Sequence, residues 1–177
     1  MKEMFETLKM LGASLLVVII SYLTGKYLGF TSFSFAWVLN FSLMAWYTFI
    51  NSIYNFPLNS SYFKVRNWEE KTSLYTYLGV RIYKKLLVWT GWENITRKEN
   101  PIKKDANTLQ SLAYNSRSSE FGHSVIAVIV LIITIGVSRS LADAKWLLLT
   151  NLLLNIYPVM LQRYNRPRYE RLIKYFQ

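Results

Sequence analysis

The sequence predicts an all-α integral membrane protein with four transmembrane helices, and amphipathic interfacial helices between the second and the third. Three observations carry that expectation. Four stretches are apolar for about as long as a helix needs to cross a bilayer core, which takes about 20 residues. The basic residues are unevenly shared among the segments that join them. Polar residues in the later stretches recur at helical spacing rather than alternating as in a strand.

The first span covers residues 8–23, LKMLGASLLVVIISYL. Mixed charge precedes it and no small-residue cleavage site follows, so it reads as an anchor and not as a signal peptide. The second covers 33–56 and stops at Pro57, which has no N–H to continue the helical ladder. The third and fourth cover 121–137 and 141–161, and the whole of 1–177 is expected to form a single membrane domain. Of 21 Lys and Arg residues, eleven lie in the 57–120 segment and five from Arg163 onward, whereas the two short hairpins hold only Lys26, Arg139 and Lys145. The positive-inside rule then places both termini and the 57–120 segment in the cytoplasm. The excess of base over 10 Asp and Glu follows from that topology and from membrane lipids as partners, with no role for nucleic acid.

Composition also removes whole classes of chemistry. Zero cysteines exclude a disulfide, a thiolate nucleophile and a thiolate metal site. A single histidine leaves an ordinary zinc cluster or a His-rich di-iron site out of reach. No metal and no cofactor is expected.

The 57–120 segment is not a plain loop. Asn67 reads as a helix N-cap with Glu70 three residues on. The following SLYTYLGVRIYKKLLVWTGW mixes Tyr, Trp and Leu with Lys and Arg, as a helix lying in the headgroup region does. Gly79 separates two short helices and Gly91 ends the second. Asn100-Pro101 breaks the chain, and a new helix is expected to start near Asp105 or Asn107. From there Leu109, Leu112, Ala113, Ser116, Glu120, His123 and Ala127 recur three or four apart, which makes one face that points into the bundle. Glu120 and His123 are three apart on that face, where the helix meets the apolar run SVIAVIVLIITIGV.

The fourth span carries Asn151 and Asn155 four apart, followed by Tyr157, Gln162, Tyr164 and Asn165. Polar side chains in a span are costly unless paired. For Asn40, Asn51 and Asn55 in the second span, interhelical hydrogen bonding is the simpler role. The string Gln162-Arg163-Tyr164-Asn165-Arg166-Pro167-Arg168 asks for more. Arg166 and Arg168 flank a rigid proline where the span ends, and two planar guanidiniums there suit an anion. The competing role is a simple positive-inside anchor.

The closing LQRYNRPRYERLIKYF, the stretch Arg66-Asn67-Trp68-Glu69 and the pair Glu120-x-x-His123 stand in an order that resembles a known family. It is that of the short integral-membrane glycosyl-4,4'-diaponeurosporenoate acyltransferases of staphyloxanthin-type carotenoid synthesis. The resemblance covers roughly residues 55–175, and QRYNRPR is its specific part. It implies a bacterial cytoplasmic membrane protein that attaches a fatty acyl group to a hydroxyl of a glycosylated lipid or carotenoid. It further implies Glu120 and His123 as catalytic residues, and Arg163, Asn165, Arg166 and Arg168 as site residues. Asn155, Gln162 and Trp68 complete the candidate substrate-binding set. The sequence differs from the family's pattern at Leu87-Val88-Trp89-Thr90-Gly91, where a polar, Pro-containing turn is expected; that bears on the acceptor more than on the chemistry.

Elementary chemistry is compatible with that implication. Acyl transfer to a hydroxyl needs a base, and histidine is suited to that near neutral pH. Glu120 is expected to fix the imidazole's tautomer, as the acidic member of a triad does. Without cysteine, direct transfer from an acyl donor, acyl-coenzyme A or acyl carrier protein, is the simplest route. The arginines would hold the donor's phosphates. The competing class is a non-catalytic membrane subunit that binds a lipid or pigment, in which Glu120 pairs with Arg117 and His123 is a packing residue.

Overall fold

The structure is a computed structural model that describes residues 1–70, 73–92 and 106–176. Among these every regular element is a helix, and four helices are long and apolar enough to cross a membrane. In order they are α1 (Lys2–Leu28), α2 (Phe33–Tyr54), a 3₁₀ turn (Ser61–Phe63), α3 (Asn67–Glu70), α4 (Ser73–Tyr77), α5 (Val80–Trp89), α6 (Ala106–Val137) and α7 (Leu141–Asn151). A turn of π-helix (Leu152–Ile156) then leads into α8 (Tyr157–Phe176). The expected break at Asn100-Pro101 lies outside the described residues.

The chain forms two compact units, one of Met1–Pro57 with Gly122–Ile156, the other of Leu58–Phe121 with Tyr157–Gln177. In the first, Phe35, Ala36, Leu39 and Leu43 of α2 share a buried core with Ile126 and Val130 of α6 and Leu147 of α7. Those α2 positions follow the three-to-four spacing of one helical face. Ser14 of α1 accepts a hydrogen bond from the Trp46 indole N–H of α2 at 2.9 Å. Most of the remaining apolar side chains of α1, among them Leu8, Leu11, Leu15 and Val18, point outward, which suits a helix solvated by acyl chains. Gly122 lets Tyr47 lie against α6, since a β-carbon there would stand 2.3 Å from the Tyr47 ring. Helix α2 ends on Asn55, which takes the left-handed conformation at φ 44°. That residue is therefore a C-cap, not the interhelical hydrogen-bonding residue expected; among non-glycine residues, asparagine is one of the few that tolerate this backbone.

In the second unit Gly79, at φ 80°, turns the chain between α4 and α5, as its position in the sequence predicts. Gly91, at φ 78°, follows α5. Helix α3 begins with half of a capping box one residue earlier than expected: the Glu69 carboxylate accepts the Arg66 backbone N–H at 2.8 Å. The side chain of Glu70, the expected capping partner, lies outside the described residues. Helix α6 starts at Ala106, and on its predicted inward face Leu109, Leu112, Ala113, Ser116, Glu120 and Ala127 are all buried. Helix α8 does not stop near Leu161 but runs through Pro167 to Phe176. That continuation decides where the arginines point.

Candidate functional site

Two buried polar clusters stand out, one in each unit. The first is built on α8. Three and four residues apart, Arg163, Arg166 and Pro167 share one face of the helix, and all three are buried. Arg163 Nε donates to Glu120 Oε1 at 2.6 Å, and Arg166 Nη2 donates to Glu120 Oε2. Each guanidinium also holds the 3₁₀ turn: Arg163 Nη2 donates to the Tyr62 carbonyl at 2.7 Å and Arg166 Nη1 to the Phe63 carbonyl at 3.1 Å. Their planes lie over the rings of the same two residues, at 4.6 Å and 5.8 Å from the centroids. The Ser116 carbonyl accepts from Arg166 at 3.5 Å.

A second carboxylate completes this cluster. Glu69 is 2% exposed and lies 3.4 Å from Arg163 Nη1. The Tyr75 hydroxyl donates to its Oε1 at 2.7 Å. Burial, then the hydrogen bond and negative charge of Glu69, push the Tyr75 hydroxyl above its ordinary pKa and keep it a neutral donor. Two guanidiniums are thus matched by two carboxylates, and no formal charge is left over in the cluster.

An open cleft of about 240 Å³ adjoins Glu69 and Arg163. Tyr62, Arg66, Trp68, Tyr75, Val159 and Met160 line it as well. Trp68, a substrate-binding candidate, is therefore on its wall. Gln162 donates to Ser119 Oγ at 3.2 Å and so ties α8 to α6. Asn165 is half-buried and Arg168 is exposed.

The expected Arg166–Arg168 fork is not formed. Residues two apart on a helix point roughly 200° apart, so the continuation of α8 buries Arg166 and turns Arg168 outward. The pair that the fold assembles is Arg163 with Arg166, and it is already occupied by Glu120. Nor is Arg117 the partner of Glu120, as the non-catalytic alternative expected; among the described residues its buried Nε has no hydrogen-bond partner.

The second cluster contains His123. Its Nδ1 lies 3.3 Å from Asn155 Oδ1. The Asn155 amide donates to Asn40 Oδ1 at 2.6 Å and to Asn151 Oδ1 at 2.9 Å. Asn151 in turn donates to the Ala127 carbonyl at 3.0 Å, and Asn40 to the Ala36 carbonyl and Thr150 Oγ1 at 2.8 Å and 3.2 Å. Every amide nitrogen in this chain meets an acceptor, which fixes which end of Asn155 is oxygen. Asn155 sits in the π-turn, a helix irregularity that recurs at functional sites. The group beside Nδ1 is therefore this amide, where the sequence led us to expect Glu120, whose two oxygens are held by Arg163 and Arg166.

Sequence reasoning quoted Arg66-Asn67-Trp68-Glu69 as a motif but gave Glu69 and Tyr75 no role. The one signal available was the family pattern itself.

The sequence model of the glycosyl-4,4'-diaponeurosporenoate acyltransferase family matches residues 59–175. That range holds every residue of both clusters except Asn40 and the Ala36 carbonyl. No curated protein and no solved structure matches the chain.

Proposed function

This chain belongs to the glycosyl-4,4'-diaponeurosporenoate acyltransferase family, and from that premise we propose that it moves a fatty acyl group onto a hydroxyl of a glycosylated lipid or carotenoid. The family's description makes it an acyltransferase of carotenoid biosynthesis. The finer reading, transfer to oxygen at the cytoplasmic face of a bacterial inner membrane with both termini cytoplasmic, rests on the charge distribution and on the chemistry of His123.

The observation that carries the mechanism is the amide beside the imidazole. With Asn155 Oδ1 as the acceptor, the proton sits on Nδ1 and the lone pair on Nε2. Nε2 takes the proton of the acceptor hydroxyl as its oxygen attacks the acyl carbonyl. The new C–O bond forms, the C–S bond of the thioester donor breaks, and the imidazolium returns its proton to the departing thiolate. A neutral amide orients the base here, the arrangement found in the Cys-His-Asn variant of the triad. Glu120 acts on the other cluster: it neutralises Arg163 and Arg166, which hold α8 to α6 and to the 3₁₀ turn. Among the three arginines expected to hold the donor's phosphates, the exposed Arg168 is the one whose charge remains available.

The test is transfer by purified protein in lipid bilayers, given acyl-coenzyme A or acyl carrier protein and a glycosylated acceptor, with the ester detected by mass spectrometry. If wild type forms no ester with either donor while the same preparation retains bound lipid or pigment, the non-catalytic subunit is the correct reading.

A further inference from the structure

The cleft beside Glu69 is outside the machinery just described, and its chemistry is specific. We propose that it is the subsite for a neutral sugar ring, the glycosyl headgroup of the acceptor, with Trp68 as its stacking platform and Glu69 as its hydroxyl acceptor. This rests on the acyltransferase reading only for the word acceptor; the binding chemistry stands by itself.

Size comes first. About 240 Å³ is below the roughly 300–1,000 Å³ typical of sites for drug-sized ligands, so what the cleft encloses is about one ring. Charge comes next. Arg163, the one guanidinium of the buried cluster that reaches the cleft, is compensated by Glu120 and Glu69. An anion entering there would meet the Glu69 carboxylate beside guanidiniums whose charge is already balanced. Of the described groups lining the cleft, the exposed Arg66 alone carries a charge outside that balance. A neutral, polyhydroxylated ligand avoids the repulsion.

The hydrogen-bonding capacity also fits. A carboxylate has about four lone-pair sites. Glu69 uses Oε1 for Tyr75 and Arg163, and Oε2 for the Arg66 N–H. Capacity for one more donor remains on Oε2, where a ligand hydroxyl can donate. Arg66 and Tyr62, which also line the cleft, are residue types whose side chains can donate to a ligand's oxygens. Trp68 is 46% exposed and tilts against Tyr75 with ring centroids 5.8 Å apart. A pyranose presents an apolar C–H face that packs on such an indole while its rim of hydroxyls reaches the polar groups.

The experiment measures binding, not turnover, so its failure is separable from failure of the acyltransferase reading. Hexyl glucoside, hexyl phosphate and hexanol are titrated by calorimetry into protein in phosphatidylcholine nanodiscs. The expected result is saturable hexyl glucoside binding that Trp68→Ala weakens about tenfold or more. Glu69→Gln keeps an amide oxygen but loses part of the acceptor strength, and it weakens binding less. Trp68 is a surface residue, so its removal does not threaten folding, and Arg81→Ala on exposed α5 serves as the control that leaves binding intact. Three results overturn the proposal: no glucoside binding by wild type, glucoside binding that ignores Trp68→Ala, or hexyl phosphate binding more tightly than the glucoside in an Arg66-dependent manner. The last would make the cleft an anion site. Glucoside binding without any acyl transfer would keep the subsite and remove the enzyme.

Discussion

Around Glu120, two carboxylates meet two guanidiniums; around Asn155, an imidazole meets carboxamides and a threonine hydroxyl. The first cluster is assembled from the 3₁₀ turn, α3, α4, α6 and α8, and each charge has an opposite charge within hydrogen-bonding distance or close to it. The second is made of groups that need only hydrogen bonds, and the amides of Asn40, Asn151 and Asn155 supply them to one another. The difference follows from the cost of burial. Removing an ion from water costs several kcal/mol unless it is paired, whereas an amide is satisfied once its donors and acceptors are matched. The charged cluster is thus suited to fastening helices, and the neutral one to holding a base in a chosen tautomer. That contrast can be broken or sharpened by substitution.

The largest effect falls on His123. Replacing it by Ala should lower acyl transfer roughly hundredfold to ten-thousandfold, the usual contribution of a general base, while the thermal unfolding midpoint in bilayers moves little. Wild-type turnover in the folded variant removes the base role. Next is Glu120→Gln, which leaves the buried Arg166 without a carboxylate and Arg163 with Glu69 alone. It should cost about 3–5 kcal/mol of stability, read as a lowered midpoint or loss of folded protein. A stable Glu120→Gln protein that lacks only activity would return Glu120 to the catalytic role the sequence suggested.

The outline of the molecule was legible because span length, loop charge and helical periodicity are local signals. The inward face of α6, from Leu109 to Ala127, came directly from spacing. The partners of its polar members did not. Glu69 and Arg163 are 94 positions apart, and nothing near either residue announces the other. The Arg166–Arg168 fork does not form for a different reason: a proline where a span leaves the membrane suggests a helix end, but α8 absorbs Pro167, and two-residue spacing on a continuing helix separates the pair. Glu120 suggests itself as the partner of His123 because acidic partners are common and the two share a helix face, but neither signal reports the arginines that hold it. The π-turn that carries Asn155 has no sequence signature comparable to a cap.

Smaller effects refine the contrast. Asn155→Ala should cost roughly tenfold to a hundredfold in turnover through a misplaced imidazole, with the Glu120 cluster and its stability untouched. An equal loss of stability would mean that the amide chain is structural cement. Arg168→Ala should raise the donor's KM severalfold with kcat unchanged, since one exposed charge contributes about 1 kcal/mol or less. An unchanged donor KM places the phosphates elsewhere.

The central claim, that one uncharged imidazole takes the hydroxyl proton with an amide behind it, is tested most directly by the pH dependence of kcat/KM for wild type beside Asn155→Asp. For wild type the account predicts an acid limb controlled by a single ionisation. A carboxylate behind Nδ1 stabilises the imidazolium, so in Asn155→Asp the limb should move to higher pH. A limb that stays in place in an active Asn155→Asp enzyme, or an acid limb that persists in His123→Ala, would show that the base is another group.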